Sequence, residues 1–387
     1  MKKKIAIIGP NYPYRGGNSL FMGHLCVALQ KDFELVIINY SLLYPELLFP
    51  GKTQYDKSNE VVKEIRDLKT ERILNSINPI SWYKTAKRID SFEPDLIVFD
   101  WWQPFFGPCH YAVSSLLKKK YKDKILFITE NVVSHESRFI DRFLTKLGLS
   151  NASKFLVLSN KVKEEIASKY PSKIVYKSEL PIYNCYDTNK ALNGNSIREK
   201  FGFKESDRVL LFFGYIRHYK GLDILIEALS ILRQTDPSYK LLVAGESYED
   251  EKIYLNRIDE LKLKDAVVME NKFISNEDVG EYFYASDLVV LPYRTATQSG
   301  ILNMAYGFLK PVVITNVGGL AEFVDRNKTG VIVELSEASS VAAGVQSFFD
   351  LRQKVDFTAE ISRYIEKNSF SSISAVFEEI LGNQKKE

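Results

Sequence analysis

Short runs dense in Val, Ile, Leu and Phe alternate with amphipathic stretches along the whole chain, and few folds can use that pattern. In the first half the runs are KIAIIG, ELVIIN, DLIVFD, KILFIT, KFLVLS and KIVYK. In the second half RVLLFFG, KLLVAG, AVVME, DLVVLPY, PVVIT and GVIVE repeat the theme. Near-continuous apolar character over so few residues marks strands buried on both faces, as in parallel sheets covered by helices. Helical stretches lie between the runs; in GLDILIEALSILRQ, Leu222, Leu225, Ile226 and Leu229 share one face. The alternation predicts an α/β chain of two doubly wound domains, each with a parallel sheet. The length of 387 residues also exceeds what one compact core usually serves. The boundary is expected in PIYNCYDTNKALNGNS (Pro181 to Ser196), which is polar, rich in turn formers and without periodicity. The predicted units are 1–182, 193–360, and a helical segment 361–387 that packs back on the first domain.

Composition excludes several classes. Hydrophobic residues make up 45% and charged residues 26%, as in a soluble globular protein. No apolar run approaches the length of a membrane span. The start, MKKKIAIIGP, is basic then apolar, but the apolar part is short and NYPYRGG follows, so it reads as a first strand and not a signal peptide. Cys26, Cys109 and Cys185 are too widely spaced for a metal motif or a disulfide framework, and the expected compartment is the cytoplasm. Net charge is +3, unevenly shared: residues 1–180 carry 28 Lys and Arg against 19 Asp and Glu, or +9. Such a half either carries solvated helix faces or meets an anionic acceptor or membrane surface, attached peripherally on its inner face. No nucleic-acid partner is expected.

Ligands of open α/β sheets bind beyond the carboxyl ends of the strands, so the loops after the strands are where chemistry is sought. After the first strand, Gly16 and Gly17 precede a helix expected to start near Asn18 or Ser19; a plain turn and an anion-binding loop are both open readings. In FFGYIRHYKGLDILIEAL, Arg217 and Lys220 flank a helix start and suit a diphosphate. In ITENVVSHESRF, Glu130, His135 and Glu136 lie close enough for a carboxylate–imidazole acid–base pair. Asp100 closes another strand, and Trp101 and Trp102 after it are either a stacking wall for a sugar or core. No metal site is expected, because the histidines are scattered and no Asp-x-Asp pair occurs.

FFGYIRHYKGLDILIEAL, SDLVVLPY, KPVVITNVGGLAEFV and NKTGVIVE, in this order, resemble the second domain of family four retaining glycosyltransferases, whose fold is GT-B. The Gly-Gly loop and NVVSHE resemble that family's first domain, so the similarity spans nearly the whole chain. The resemblance implies two Rossmann-like domains facing across a cleft, with C-terminal helices. It implies a nucleoside-diphosphate sugar donor held by the second domain and a glycan, lipid-linked or small-molecule acceptor on the first. It implies transfer with retention, without metal or cofactor, in surface polysaccharide or glycoconjugate synthesis. Arg217 and Lys220 match the phosphate-binding pair, Gly16 and Gly17 the loop that approaches the phosphates, and Phe273-Ile274 the turn that meets the base.

One stretch departs from the family. It commonly carries two glutamates eight positions apart after LPY, the second holding the ribose; ungapped alignment on Pro311 places Ala296 and Met304 there. A slip of one residue places Asn303 beside the second, and Asn303 can bond a hydroxyl. What remains is Thr297, Gln298, Ser299, Gly300 and Ile301, whose side-chain donors and helix-start amides suit a diphosphate. Losing both glutamates leaves two alternatives to an active transferase: a non-catalytic sugar-nucleotide-binding partner, or an epimerase of the same fold.

Overall fold

A computed structural model of the chain describes residues 2–49, 53–58, 62–132, 139–182 and 194–383. The chain forms two compact units. Unit 1 comprises Met1–Asp56, Val62–Pro181 and Ser369–Glu387; unit 2 comprises Lys57–Val61 and Ile182–Asn368.

Unit 1 holds seven strands: β1 (Lys4–Ile8), β2 (Glu34–Leu42), β3 (Thr70–Asn75), β4 (Leu96–Trp101), β5 (Ile125–Thr129), β6 (Lys154–Val157) and β7 (Ile174–Lys177). They pair in parallel in the order β3-β2-β1-β4-β5-β6-β7. Unit 2 holds β8 (Arg208–Phe213), β9 (Tyr239–Ala244), β10 (Val267–Glu270), β11 (Leu288–Leu291), β12 (Val312–Thr315) and β13 (Gly330–Val333). Its parallel order is β10-β9-β8-β11-β12-β13. Two doubly wound parallel sheets are what the apolar runs predict, and all twelve of those runs are strands. The thirteenth, β3, is an edge strand that escapes that reading because it buries little: of TERILN only Leu74 is buried, and its Arg72 donates to the Tyr40 carbonyl at 3.2 Å. A strand covered on one face needs no continuous apolar run.

The strand orders decide where a ligand binds. Both reverse at the unit's first strand, so connections leave in opposite directions between β1 and β4 and between β8 and β11. The carboxyl ends of those pairs therefore open a crevice in each unit. The chain returns to unit 1 at Ser369. Helix Phe357–Lys367 stays with unit 2, where Tyr364 meets Tyr306 (5.3 Å). Helix Phe370–Asn383 packs on helix Gly17–Leu29, with Phe370 against Phe21 (6.1 Å) and His24 (5.3 Å).

Candidate functional site

In unit 2, β8 ends at Phe213, and Gly214 follows with φ of 95°, a conformation open to glycine. The chain passes Arg217, makes a short turn over His218–Lys220, and enters helix Leu222–Arg233 through Gly221, whose φ is 70°. A Cβ on Gly221 would overlap the Pro292 carbonyl oxygen, so the loop after β8 lies directly on the loop after β11. Arg294 fastens the two. Its amide donates to the Tyr219 carbonyl at 2.7 Å, and its guanidinium donates to the His218 carbonyl at 2.7 Å. The same guanidinium grips both carboxylate oxygens of Asp223, at 2.9 and 2.5 Å. Sequence reasoning missed this clamp, because its partners are 71 residues apart.

The clamped loops hold Lys220. It is only 7% exposed, and among the described residues its ammonium has neither a carboxylate nor a hydrogen-bond partner. Its Nζ lies 3.3 Å from the position a Cβ on Gly214 would take, and Ile301 Cδ1 lies 2.9 Å from that same position. The strand-end glycine, Lys220 and the start of helix Gly300–Gly307 thus converge on the crevice between β8 and β11. Burial, with the Arg217 charge adding to it, lowers the Lys220 pKa to about 7. An unpaired buried cation is costly, and an anion placed there removes the cost. Arg217 is half-buried, its guanidinium 4.8 Å from the Tyr248 ring, which stacks on Tyr215 at 4.8 Å.

The loop after β11 contributes differently from what its sequence predicts. Ser299 caps its own helix, its hydroxyl accepting from the Leu302 amide at 3.4 Å, so its side chain is engaged. The amides of Gly300 and Ile301 make no hydrogen bond within the described residues, and the space a Gly300 side chain would take is open. Thr297 is buried and Gln298 half-buried. Asn303, expected to bond a ribose hydroxyl, is fully buried in the first turn of helix Gly300–Gly307. Met304, one turn beyond Gly300, is half-exposed, so helix phase favours the ungapped alignment. Half-buried Phe273 and buried Ile274 lie between β10 and helix Asn276–Ala285. A separate cavity of about 820 Å³, lined by Arg198, Asp287, Lys310 and Arg352, lies at the opposite, amino end of these strands.

Unit 1 has its own crevice. Gly16, with φ of 110°, is the cap of a helix that begins at Gly17, one or two residues before the expected Asn18 or Ser19. Both glycines are exposed with nothing within reach of an added Cβ. Asp100 sits at the end of β4 beside β1, where a Cβ on Gly9 would lie 3.0 Å from its own. It is fully buried, and among the described residues neither carboxylate oxygen is hydrogen-bonded; burial first, then the Glu130 carboxylate, push its pKa well up. Glu130 follows β5, half-buried, its amide donating to the Trp101 carbonyl at 3.1 Å. His135 and Glu136 lie outside the described residues. Trp101 is core, whereas Trp102 is half-buried, its indole donating to the Tyr44 hydroxyl at 3.1 Å. His110 is a core histidine bonded to Tyr40 at 2.9 Å, its pKa pushed down to about 3 by burial.

Residues 194–368, nearly all of unit 2, match the family model described as glycosyl transferases group 1. The chain is 25% identical over 264 residues to YtcC of Bacillus subtilis, a protein named as a glycosyltransferase. That match covers 63% of this chain and 62% of YtcC, less than two thirds of the relative's length. Similarity to MJ1178 of Methanocaldococcus jannaschii, an uncharacterized glycosyltransferase by name, is 26% over 338 residues, covering 84% of this chain and 82% of MJ1178. Among solved structures, Anabaena HepE in complex with UDP and glucose superposes with a TM-score of 0.74 at 17% identity, over 98% of this chain and 100% of that one. The fold class is that of the GT-B glycosyltransferases.

Proposed function

We propose that the protein is a glycosyltransferase that takes a sugar from a nucleoside-diphosphate donor and passes it, with retention, to a glycan, lipid-linked or small-molecule acceptor. One observation carries this reading: a buried Lys220 without a carboxylate partner among the described residues, at the strand-order reversal of unit 2, beside the Gly300 and Ile301 amides, which make no hydrogen bond among those residues. Leaving-group departure puts negative charge on the diphosphate, and cations and amides already in place lower that barrier without reorganising. Arg217, held over Tyr248 near Lys220, adds a planar donor that can bridge two phosphate oxygens. The named glycosyltransferase relatives, and the UDP seen in HepE, support a sugar nucleotide as the donor class. Glu130, beside the buried Asp100, is a carboxylate of unit 1 placed to orient an acceptor hydroxyl or the reacting sugar.

The test is turnover of a sugar-nucleotide panel (UDP-glucose, UDP-N-acetylglucosamine, ADP-glucose, GDP-mannose), followed as nucleoside diphosphate release, with and without EDTA. Release from at least one donor, unchanged by EDTA, is the expected outcome, since protein cations take the charge a metal would otherwise carry. Release that EDTA abolishes and magnesium restores would contradict the assigned role of Lys220 and Arg217. Tight binding without release would favour the non-catalytic reading instead.

A further inference from the structure

Helix Phe139–Gly148 of unit 1 is mounted the wrong way round for a packing helix. Its buried residues are the small ones, Thr145 and Gly148, whereas Phe139, Ile140 and Phe143 are 88%, 62% and 60% exposed. The mounting is tight: a Cβ on Gly148 would overlap the Trp101 ring, and a Cβ on Gly107 would overlap the Leu144 carbonyl. Helix Gly107–Leu116 therefore meets this helix almost backbone to backbone, and Asn151 just beyond it donates to Ser114 (3.0 Å) and Ser115 (2.8 Å). Such a rigid seat leaves the large apolar side chains no route inward.

Arg142 and Lys146 are exposed on the same helix, one turn apart, and neither makes an ion pair among the described residues. Large apolar side chains beside exposed cations, on a helix lying along the surface, are the features of an interfacial helix that sinks into the headgroup region. The sign of this part of the chain fits: residues 1–180 carry a net +9. A second copy of the chain fits less well. Like-charged faces repel, and three side chains offer about 500 Å², short of the roughly 800 Å² per partner of a standard interface.

We infer that the outer face of helix Phe139–Gly148, through Phe139, Ile140, Phe143, Arg142 and Lys146, docks the protein on an anionic lipid bilayer. The inference is independent of the donor chemistry proposed for unit 2. Flotation of the full chain with vesicles tests it, comparing phosphatidylglycerol–phosphatidylcholine mixtures with phosphatidylcholine alone, in low and high salt. Wild type is expected to float with the anionic vesicles and to be released by salt. Phe139→Ser with Phe143→Ser should weaken partitioning about tenfold or more. Arg142→Glu with Lys146→Glu should remove the preference for anionic lipid. Leu255→Ser, an exposed apolar residue of unit 2, is the control that should float like wild type. Thermal melting of each variant shows that the fold is retained. Equal flotation of wild type and the Phe139/Phe143 variant would overturn the inference. So would a wild-type dimer in sedimentation that the same variant dissociates, because a second copy would then be the occupant.

Discussion

A Lys220→Met variant is expected to lose roughly 2–4 kcal/mol of transition-state stabilisation, about thirty- to a thousandfold in kcat/KM, while the free protein becomes more stable. The two effects have one cause. In the free protein Lys220 is a buried ammonium with no ion-pair or hydrogen-bond partner among the described residues, only the Tyr293 ring 5.9 Å away, so folding strips its hydration for little in return. Methionine has nearly the same reach and no charge, which removes that penalty, on the order of 2–4 kcal/mol near pH 7. Bound diphosphate turns the same charge into an asset. The pH dependence has a definite sign. Lys220 is lowered from 10.5 to about 7 in the fold, so between those values the unfolded chain holds the extra proton. Wild-type stability, relative to Lys220→Met, should therefore rise with pH across that window; the penalty is full below about pH 7 and gone near pH 10.5. The difference between the two proteins isolates Lys220 from Lys310, which burial lowers to about 8 in both. Chemical denaturation at several pH values reads it. A Lys220→Met protein less stable than wild type at pH 7 would mean that the ammonium has a partner in solution.

Gly221→Ala should cost about 2–4 kcal/mol of stability in unit 2 and take donor binding with it. A φ of 70° is strained for any side chain, and the added Cβ would run into the Pro292 carbonyl, a backbone atom that cannot rotate away. Relief requires the loops after β8 and β11 to separate. Separation breaks the grip of Arg294 on His218, Tyr219 and Asp223 and moves Lys220 away from Gly300 and Ile301. Gly202→Ala, also in unit 2, is the comparison: a positive φ of 75° close to that of Gly221, but open space around the Cβ, so a smaller loss from strain alone. Melting temperature and donor-induced stabilisation measure both. Similar losses in the two variants would show that contact between the loops is not what Gly221 provides.

The fold was legible because parallel strands buried on both faces write themselves as apolar runs; β3, which buries only Leu74, does not. In the site, Gly214, Arg217 and Lys220 were legible as a cationic loop before a helix. Their burial was not, since it depends on Pro292 and Arg294 from a loop far along the chain. Spacing also could not give the helix phase, which buries Asn303 and leaves Met304 half-exposed. Asp100 read only as the end of a strand. Its raised pKa follows from complete burial, with the Glu130 carboxylate beside it, which no local pattern encodes.

The central claim is that Lys220 meets the diphosphate of a sugar nucleotide. Titration calorimetry with the sugar nucleotide that turns over, in buffers of different ionisation enthalpy at pH 7.5, tests it most directly. The donor's phosphates do not ionise near that pH, so any proton taken up belongs to the protein. With a free pKa of about 7 that binding raises, wild type should take up roughly half a proton or more per site, and Lys220→Met should take up none. Equal proton uptake by wild type and Lys220→Met, or unchanged affinity in the variant, would contradict it.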